Sequence, residues 1–322
     1  MVEARDAGPV VVTGGAGAIG SILVRALLAQ GHEVRVLDNL SSGRRAHLAD
    51  AEATGRLKVV QTDLRTDARP AEFTGARAVW HLAANPDIRL GTSDPTTDLQ
   101  HGTVATFNVL EAARRAGVPR VLFSSSSVVY GFPTVFPTPE DYGPLQPQSL
   151  YGASKLAGEG LMSAYSHSYG LRTFIFRFAN IIGPTMTHGV IYDFFDKVRR
   201  DPSRLEVLGD GRQSKSYLWV DDCVRAMLLA EERAPDLVNV FNLGTRDRVS
   251  VKEIAERVVR ATGGRARIEF TGGERGWAGD VPQQLLGIDR IERLGWRPTR
   301  SASAAVDEAI AGFAPGSAHP AG

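Results

Sequence analysis

Tyr151 and Lys155, in the stretch Tyr151-Gly152-Ala153-Ser154-Lys155, stand four residues apart. On a helix that spacing brings a phenol and an ammonium onto one face. A free tyrosine titrates near pH 10, so ionising it at neutrality needs a shift of about 3 units, or roughly 4 kcal/mol, which nearby positive charge can supply. Such pairs are frequent by chance, and this one gains meaning from what precedes it. Ser124 to Ser127 form an unbroken run of hydroxyls, and hydroxyls are costly to bury without partners. Either one of them points at a substrate while the others cap loops, or the whole cluster is structural.

Upstream, Thr13 to Gly20 reads TGGAGAIG. Glycines let a backbone approach a pyrophosphate closely, and the N-terminus of a following helix offers N–H donors and partial positive charge. A mere turn needs one glycine, whereas this one has Gly14, Gly15, Gly17 and Gly20, with Ala18 and Ile19 opening the helix. Asp38 follows about 20 residues later, where a carboxylate bonds the adenosine ribose hydroxyls of a dinucleotide, so the sequence predicts NAD over NADP. Arg44 and Arg45 follow Gly43; they are either solvated or close enough to hold a 2′-phosphate. Asp63 and Leu64 are open between an adenine contact and a plain loop. Leu82, Ala83 and Ala84 are small enough for close cofactor approach, and core packing explains them equally well.

These groups need a scaffold that delivers them to one edge. Pro9 to Thr13 is a continuous β-branched run, as for a strand buried on both faces. Ala18 to Ala29 carries an apolar helical stripe ended by Gly31, and Val34 to Leu37 is the next strand. The alternation continues through strands at Leu57 to Val60 and Ala78 to Leu82. A helix near Thr103 to Ala116, the strand Val121 to Phe123, a helix at Tyr151 to Tyr169 and the strand Thr173 to Phe178 complete it. This pattern predicts an α/β fold, a doubly wound parallel sheet of the Rossmann type, with chemistry at the carboxyl ends of the strands.

After Asn180 the pattern loosens into a helix near Ile191 to Arg199 and the loop Gly209 to Ser216. Tyr217 to Val220, the helix Asp222 to Glu231 and Val240 to Leu243 read as a return to the sheet. The expected division is a dinucleotide-binding domain at 1–180 plus 217–245 and a smaller, interleaved substrate domain at 181–216 plus 246–314. Residues 315–322 read as a disordered tail.

Composition removes other classes. Thirty-seven Lys and Arg against 36 Asp and Glu give a net charge of +1, so no global field draws in nucleic acid or an acidic membrane. No apolar run reaches the about 18 residues of a membrane span. Met1 to Pro9 carries Glu3 and Asp6 and lacks the apolar centre of a signal peptide, and the single Cys223 cannot form an internal disulfide, which together predict a cytoplasmic protein. The scattered histidines lack metal-ligand spacing, so no metal site is expected.

With these residues in hand, the chain resembles the extended short-chain dehydrogenase/reductase family, and within it the UDP-glucose 4-epimerase type. The resemblance runs from about Val10 to Pro298. It is carried by TGGAGAIG, by the segment Asp38-Asn39-Leu40-Ser41-Ser42-Gly43, by FSSSSVVYG from Phe123 and by YGASK. RFANIIGP from Arg177 and SYLWVDD from Ser216 look like the same group. It implies that Ser126 is the catalytic serine, Tyr151 the acid/base and Lys155 the holder of the nicotinamide ribose. Asn39, Ser41, Ser42 and Ser124 join the cofactor set. Asn180 resembles the diphosphate-contacting asparagine, and Leu208 falls where the uracil packs. Arg275 and Asp280, in ERGWAGD, resemble the diphosphate arginine and the uridine-ribose aspartate, with a spacing two residues longer than usual. Two departures stand out. Gln100 to Thr106 reads QHGTVAT where the family often has an asparagine that contacts the cofactor. Lys215 replaces a common arginine, leaving a point charge in place of a bidentate fork.

Related dehydratases and decarboxylases carry acidic residues beside the catalytic serine, where this chain has Ser127 and Val128. The resemblance therefore implies redox at C4 alone. Tyr151 takes the 4-hydroxyl proton while bound NAD accepts the C4 hydride, the 4-keto sugar rotates, and hydride returns to its other face. The expected substrate is a UDP-sugar, with UDP-glucose/UDP-galactose ahead of UDP-glucuronate/UDP-galacturonate. Arg89 and Ser127 suit a carboxylate, while Thr185 stands where an acid-binding arginine would. Relatives that only sense NAD usually lack the Tyr-Lys pair, which this chain keeps. The resemblance also implies a homodimer built on the helices near Thr103 to Ala116 and Tyr151 to Tyr169.

Overall fold

Apolar β-branched runs too short for helices form parallel strands buried on both faces, and amphipathic stretches between them cover the sheet. In this computed structural model, which describes residues 8–277 and 279–314, the chain begins β1 (Val10–Thr13), α1 (Ala18–Ala29), β2 (Val34–Asp38), α2 (Ala49–Glu52), β3 (Leu57–Gln61) and β4 (Ala78–His81). The helical turns α3 (Leu90–Ser93) and α4 (Pro95–Asp98) lead through a π-turn at Leu99–Val104 into α5 (Ala105–Arg115). Next come β5 (Arg120–Ser126), α6 (Leu150–Tyr169), β6 (Arg172–Phe178), β7 (Asn180–Ile182), α7 (Val190–Arg200), β8 (Arg204–Val207), β9 (Ser214–Lys215) and β10 (Tyr217–Trp219). The chain continues with α8 (Val220–Arg233), β11 (Val238–Leu243), β12 (Val249–Ser250), α9 (Val251–Ala261), β13 (Arg267–Phe270), β14 (Gln283–Gln284), α10 (Asp289–Arg293) and α11 (Ala302–Phe313). The expectations for the first seven residues and for the tail 315–322 fall outside the described residues.

The large sheet is parallel, in the order β3-β2-β1-β4-β5-β6-β11. Strand order reverses between β1 and β4, which opens a crevice beyond their carboxyl ends. Alternate residues of β1 feed opposite faces: Val10 and Val12 pack with Leu23 and Leu27 of α1 and Met227 of α8, and Val11 packs with Val109 of α5 and Met162 of α6. A second core, with Ile191, Phe194, Leu205, Val207, Ile254 and Ile310, joins α7, α9 and α11 to the paired strands β8 and β13.

Four local expectations are corrected. Tyr217–Val220 does not return to the large sheet. Strand β11 takes the open edge of β6, so β10 pairs instead with β7 in a separate two-stranded sheet, with Leu218 in the first core and Tyr217 and Trp219 in the second. The strand expected at Val121 to Phe123 runs on to Ser126, because the serine hydroxyls find partners in the sheet's surroundings. The helix expected from Thr103 begins as a π-turn, where Gly102 lies flat against Ser154 and a Cβ would meet Ser154 Oγ at 2.3 Å. The loop Gly209–Ser216 contains β9, which pairs with β12 and β14.

Helix α6 starts where Ser149 Oγ accepts from the Gly152 N–H at 3.1 Å, and ends at Gly170 in the left-handed region. Gly158 lets it lie directly on β5, since a Cβ there would be 2.6 Å from the Phe123 ring. One turn beyond Lys155, Glu159 meets Arg177 of β6 at 2.7 Å, and both side chains are 7% exposed. Ser125 donates to the same carboxylate, and Arg177 also donates to Tyr130 Oη and the Glu140 carbonyl, each at 2.9 Å. Glu159→Ala leaves the guanidinium buried without its counter-charge and should cost about 3–5 kcal/mol. Urea denaturation checks this, and an unchanged midpoint would contradict it.

Candidate active site

A cleft of about 840 Å³ runs along the carboxyl ends of the large sheet and under the smaller lobe. Every residue expected at the dinucleotide lines it: Gly14, Gly17 to Gly20, Asp38, Asn39, Ser41 to Gly43, Asp63, Leu64, Leu82 to Ala84 and Ser124. Gly14 has φ +68, and a Cβ there would lie 2.7 Å from the Ala83 nitrogen, so the turn after β1 and the loop after β4 touch backbone to backbone. A Cβ on Gly20 would lie 2.1 Å from the Gly14 carbonyl oxygen. The result is a cradle of bare backbone at the N-terminus of α1, which fits a diphosphate. Asp38, 7% exposed, accepts from the Ala16 N–H at 2.9 Å and the Leu40 N–H at 2.8 Å. Lone pairs remain on its oxygens for ribose hydroxyls. Arg45 pairs with Glu52 at 2.9 Å, and neither it nor Arg44 lines the cleft. Asp63 is held by Arg65 at 2.6 Å.

The serine run sorts itself by hydrogen bonding. Ser124 donates to the His81 carbonyl, Ser125 to Glu159, and Ser127 accepts from Gln284 Nε2 at 2.7 Å. Ser126 Oγ accepts a long bond from the Val128 N–H, 3.4 Å, and faces the cleft with Tyr151 and Lys155. Lys155 Nζ donates to the Ser124 carbonyl at 2.6 Å and stands 5.6 Å from the Tyr151 ring centre. Burial pushes Lys155 down to about 7, with Asp98 and Glu159 pulling it back up. Burial pushes the Tyr151 phenol up, and the charge of Asp98 adds to the rise. The chain's own groups thus push the phenol up, and the positive charge expected to lower it includes that of the nicotinamide ring. Beneath the pair, His81 bridges Thr13 Oγ1 at 2.7 Å and Thr106 Oγ1 at 3.0 Å, and burial, with the Lys155 charge, lowers it to about 3. It is a neutral strut between β1, β4 and α5.

Arg89, Asn180, Leu208, Lys215 and Asp280 also line the cleft. Lys215 and Asp280, expected as separate ligand contacts, pair with each other at 2.6 Å, and Asp280 also accepts from the Gly276 N–H. Asn180 Nδ2 donates to the Ser216 carbonyl at 3.2 Å. Arg275 does not line the cleft; its exposed guanidinium stacks on Phe132, 4.5 Å from the ring centre. Gln284 escaped the sequence reading: it binds Ser127 and the Ser216 N–H at once, joining the serine run to the smaller lobe. A lone glutamine in a short strand carries no sequence signal for that.

Known proteins resemble this chain over most of its length. The NAD dependent epimerase/dehydratase family matches residues 10–244. A UDP-glucose 4-epimerase from Mycolicibacterium smegmatis is 36% identical over 299 residues, spanning 89% of this chain and 93% of that protein. A crystal structure of a UDP-galactose 4-epimerase superposes with a TM-score of 0.84 at 42% identity, covering 94% of this chain and 97% of that one. The UDP-glucuronic acid 4-epimerase of Bacillus cereus, in complex with UDP-glucuronic acid and NAD, gives 0.86 at 25% identity over 95% and 98%. The cofactor is NAD. Because Gly14 is in contact with Ala83 backbone, Gly14→Val should yield protein that releases little or no NAD on heat denaturation, where the parent releases it; equal release would refute the cradle. The match extends over the glycine turn, the serine run and Tyr151 to Lys155 alike, and the chain belongs to the NAD dependent epimerase/dehydratase family, of the UDP-glucose 4-epimerase type, as an NAD-dependent nucleotide-sugar epimerase.

Proposed function

We propose that the protein is a UDP-hexose 4-epimerase acting on UDP-glucose and UDP-galactose. The observation that carries the choice of sugar is the state of Arg89. Its guanidinium meets Asp87 at 3.1 Å and Asp193 at 3.6 Å, so two carboxylates already surround one cation at the cleft wall. Burial pushes the nearby His188 below its usual range, with Asp87 and Asp193 pulling it back up. A carboxylate at C6 would be a third anion there, whereas a hydroxymethyl group meets no such repulsion. The alternative, UDP-glucuronate, is favoured by the presence of Arg89 in the cleft and by the likeness to the enzyme bound to UDP-glucuronic acid.

In this reading Ser126 and Tyr151 hold the 4-hydroxyl, and Tyr151 removes and returns its proton. Lys155 presents its ammonium beside the phenol and to the nicotinamide ribose. Bound NAD would supply the acceptor and donor of the C4 hydride and a positive charge to the site. Asn180 and Lys215 hold the diphosphate, Leu208 packs the uracil and Asp280 holds the uridine ribose. The sugar is then tethered by its nucleotide and free to turn over between its two faces.

We also propose a homodimer through α5 and α6. Phe107 on α5, Leu150 and Tyr169 at the two ends of α6, and Leu99 in the π-turn before α5 stand 45–57% exposed, large apolar side chains of the kind that interfaces bury.

Incubation with UDP-glucose and UDP-glucuronate in parallel tests the choice of sugar; conversion of neither would leave only an NAD-binding module. Arg89→Ala should lower kcat/KM for both sugars alike. A loss confined to UDP-glucuronate, of the size of about 2–5 kcal/mol that a buried charge partner gives, would reverse the choice. Tyr151→Phe should cut turnover about 100- to 10,000-fold while NAD content stays at the parent level, and near-parent turnover would end the acid/base role. Light scattering at micromolar concentration should report a dimer that Phe107→Glu dissociates.

A further inference from the structure

Gln284 of β14 stands beside Lys215 of β9, and its buried side chain reaches the end of β5. The direction of each of its hydrogen bonds follows from its partners. The Ser216 N–H can only donate, so the group 3.1 Å from it is the amide oxygen, Oε1. Asn180 Nδ2 approaches the same oxygen at 3.5 Å. The other end of the amide is then Nε2, which donates to Ser127 Oγ at 2.7 Å.

That bond fixes the polarity of Ser127. A hydroxyl carries one proton, and while its oxygen accepts from Gln284 the proton needs an acceptor elsewhere. Ser124 and Ser125 spend theirs on the protein, at the His81 carbonyl and at Glu159. Among the described residues Ser127 Oγ has Gln284 as its partner and no acceptor for its proton, and Ser127 lines the cleft next to Ser126. A sugar offers acceptor oxygens to such a donor.

We propose that Gln284 is a positioning residue for the reaction: by donating to Ser127 it turns that hydroxyl into a donor of fixed direction toward an oxygen of the bound hexose. This rests on the reading of the cleft as a UDP-hexose site. The diphosphate end does not depend on the amide. There the Ser216 N–H also reaches the Gln284 carbonyl at 3.2 Å, and Asn180 Nδ2 also donates to the Ser216 carbonyl at 3.2 Å. What the amide adds is the orientation of Ser127, at the sugar end.

The test is a double-mutant cycle on NAD-loaded protein, combining Gln284→Met, which keeps the length of the side chain and removes the amide, with Ser127→Ala. Each single substitution should lower kcat/KM for the UDP-hexose that the parent converts by about 10-fold, the size of one buried hydrogen bond. The Kd of UDP, which carries no hexose, should stay at the parent value in both. Because Gln284 acts through Ser127, the double variant should be no slower than Ser127→Ala alone. A glutamine that only tied the two lobes together would cost as much again in the Ser127→Ala background, and that additive result would overturn the proposal. So would a Kd for UDP that rises in Gln284→Met as far as kcat/KM falls. Should Gln284→Met not fold, Ser127→Ala decides alone, since kcat/KM at the parent level would mean that no donor stood there to be oriented. A parent that binds UDP no better than ADP would remove the UDP-hexose reading and the proposal with it, whereas selective UDP binding with an additive cycle would sink the proposal alone.

Discussion

The distance at which α6 lies over β5 is the constraint on which the site depends. Lys155 reaches the Ser124 carbonyl only because Gly158 lets the helix settle onto the Phe123 ring, and because Gly102 lets the π-turn settle onto Ser154. A methyl group at either glycine would lift α6 and separate the phenol and ammonium from the strand that carries Ser126. The same contact explains the π-turn itself, since an extra residue in the turn is one way to bring Gly102, and not a bulkier neighbour, to face α6. The close placement of Tyr151 and Lys155 against β5 thus comes from absent side chains.

Close packing has an electrostatic consequence. Tyr151, Lys155, His81, Asp98, Glu159 and Arg177 share a poorly solvated layer between the sheet and its helices, where each charge strongly affects its neighbours. Arg177 and Glu159 satisfy one another, and His81 is neutral between two threonine hydroxyls. That leaves the Tyr151 and Lys155 protons as the ones that small changes nearby can move, Lys155 being held at about 7 by burial. The polar network around Arg177, reaching Tyr130, Glu140 and Asn242, anchors this layer to the far edge of the sheet.

Much of this was legible in the sequence. Helix α1 matches its expected bounds, because an amphipathic stripe flanked by glycines leaves few alternatives. The strand and helix alternation fixed the parallel sheet, and motif order then placed the glycine turn, the serine run and the Tyr-Lys pair at one edge. What escaped were features set by partners distant in the chain. Tyr217–Val220 has the apolar pattern of a sheet strand, but β11 occupies the edge it would need. The pairing of Lys215 with Asp280 and the stacking of Arg275 on Phe132 depend on loop paths that periodicity does not encode.

The β7–β10 pair gives the molecule a mechanical property. Its three-residue strands follow directly from β6 and lead directly into α8, and Leu218 is anchored in one core while Tyr217 and Trp219 are anchored in the other. It acts as a rivet through both lobes at the floor of the cleft. A hinge that opened the lobes as rigid bodies would have to pull these side chains out of two cores at once. Compliance is left to the segment from Gly272 to Trp277, which is fastened at the Gly209 carbonyl, at Asp280 and by the Arg275 stack on Phe132. Entry and exit of a nucleotide are then matters of loop exchange along one rim, with the two walls of the cleft fixed in register.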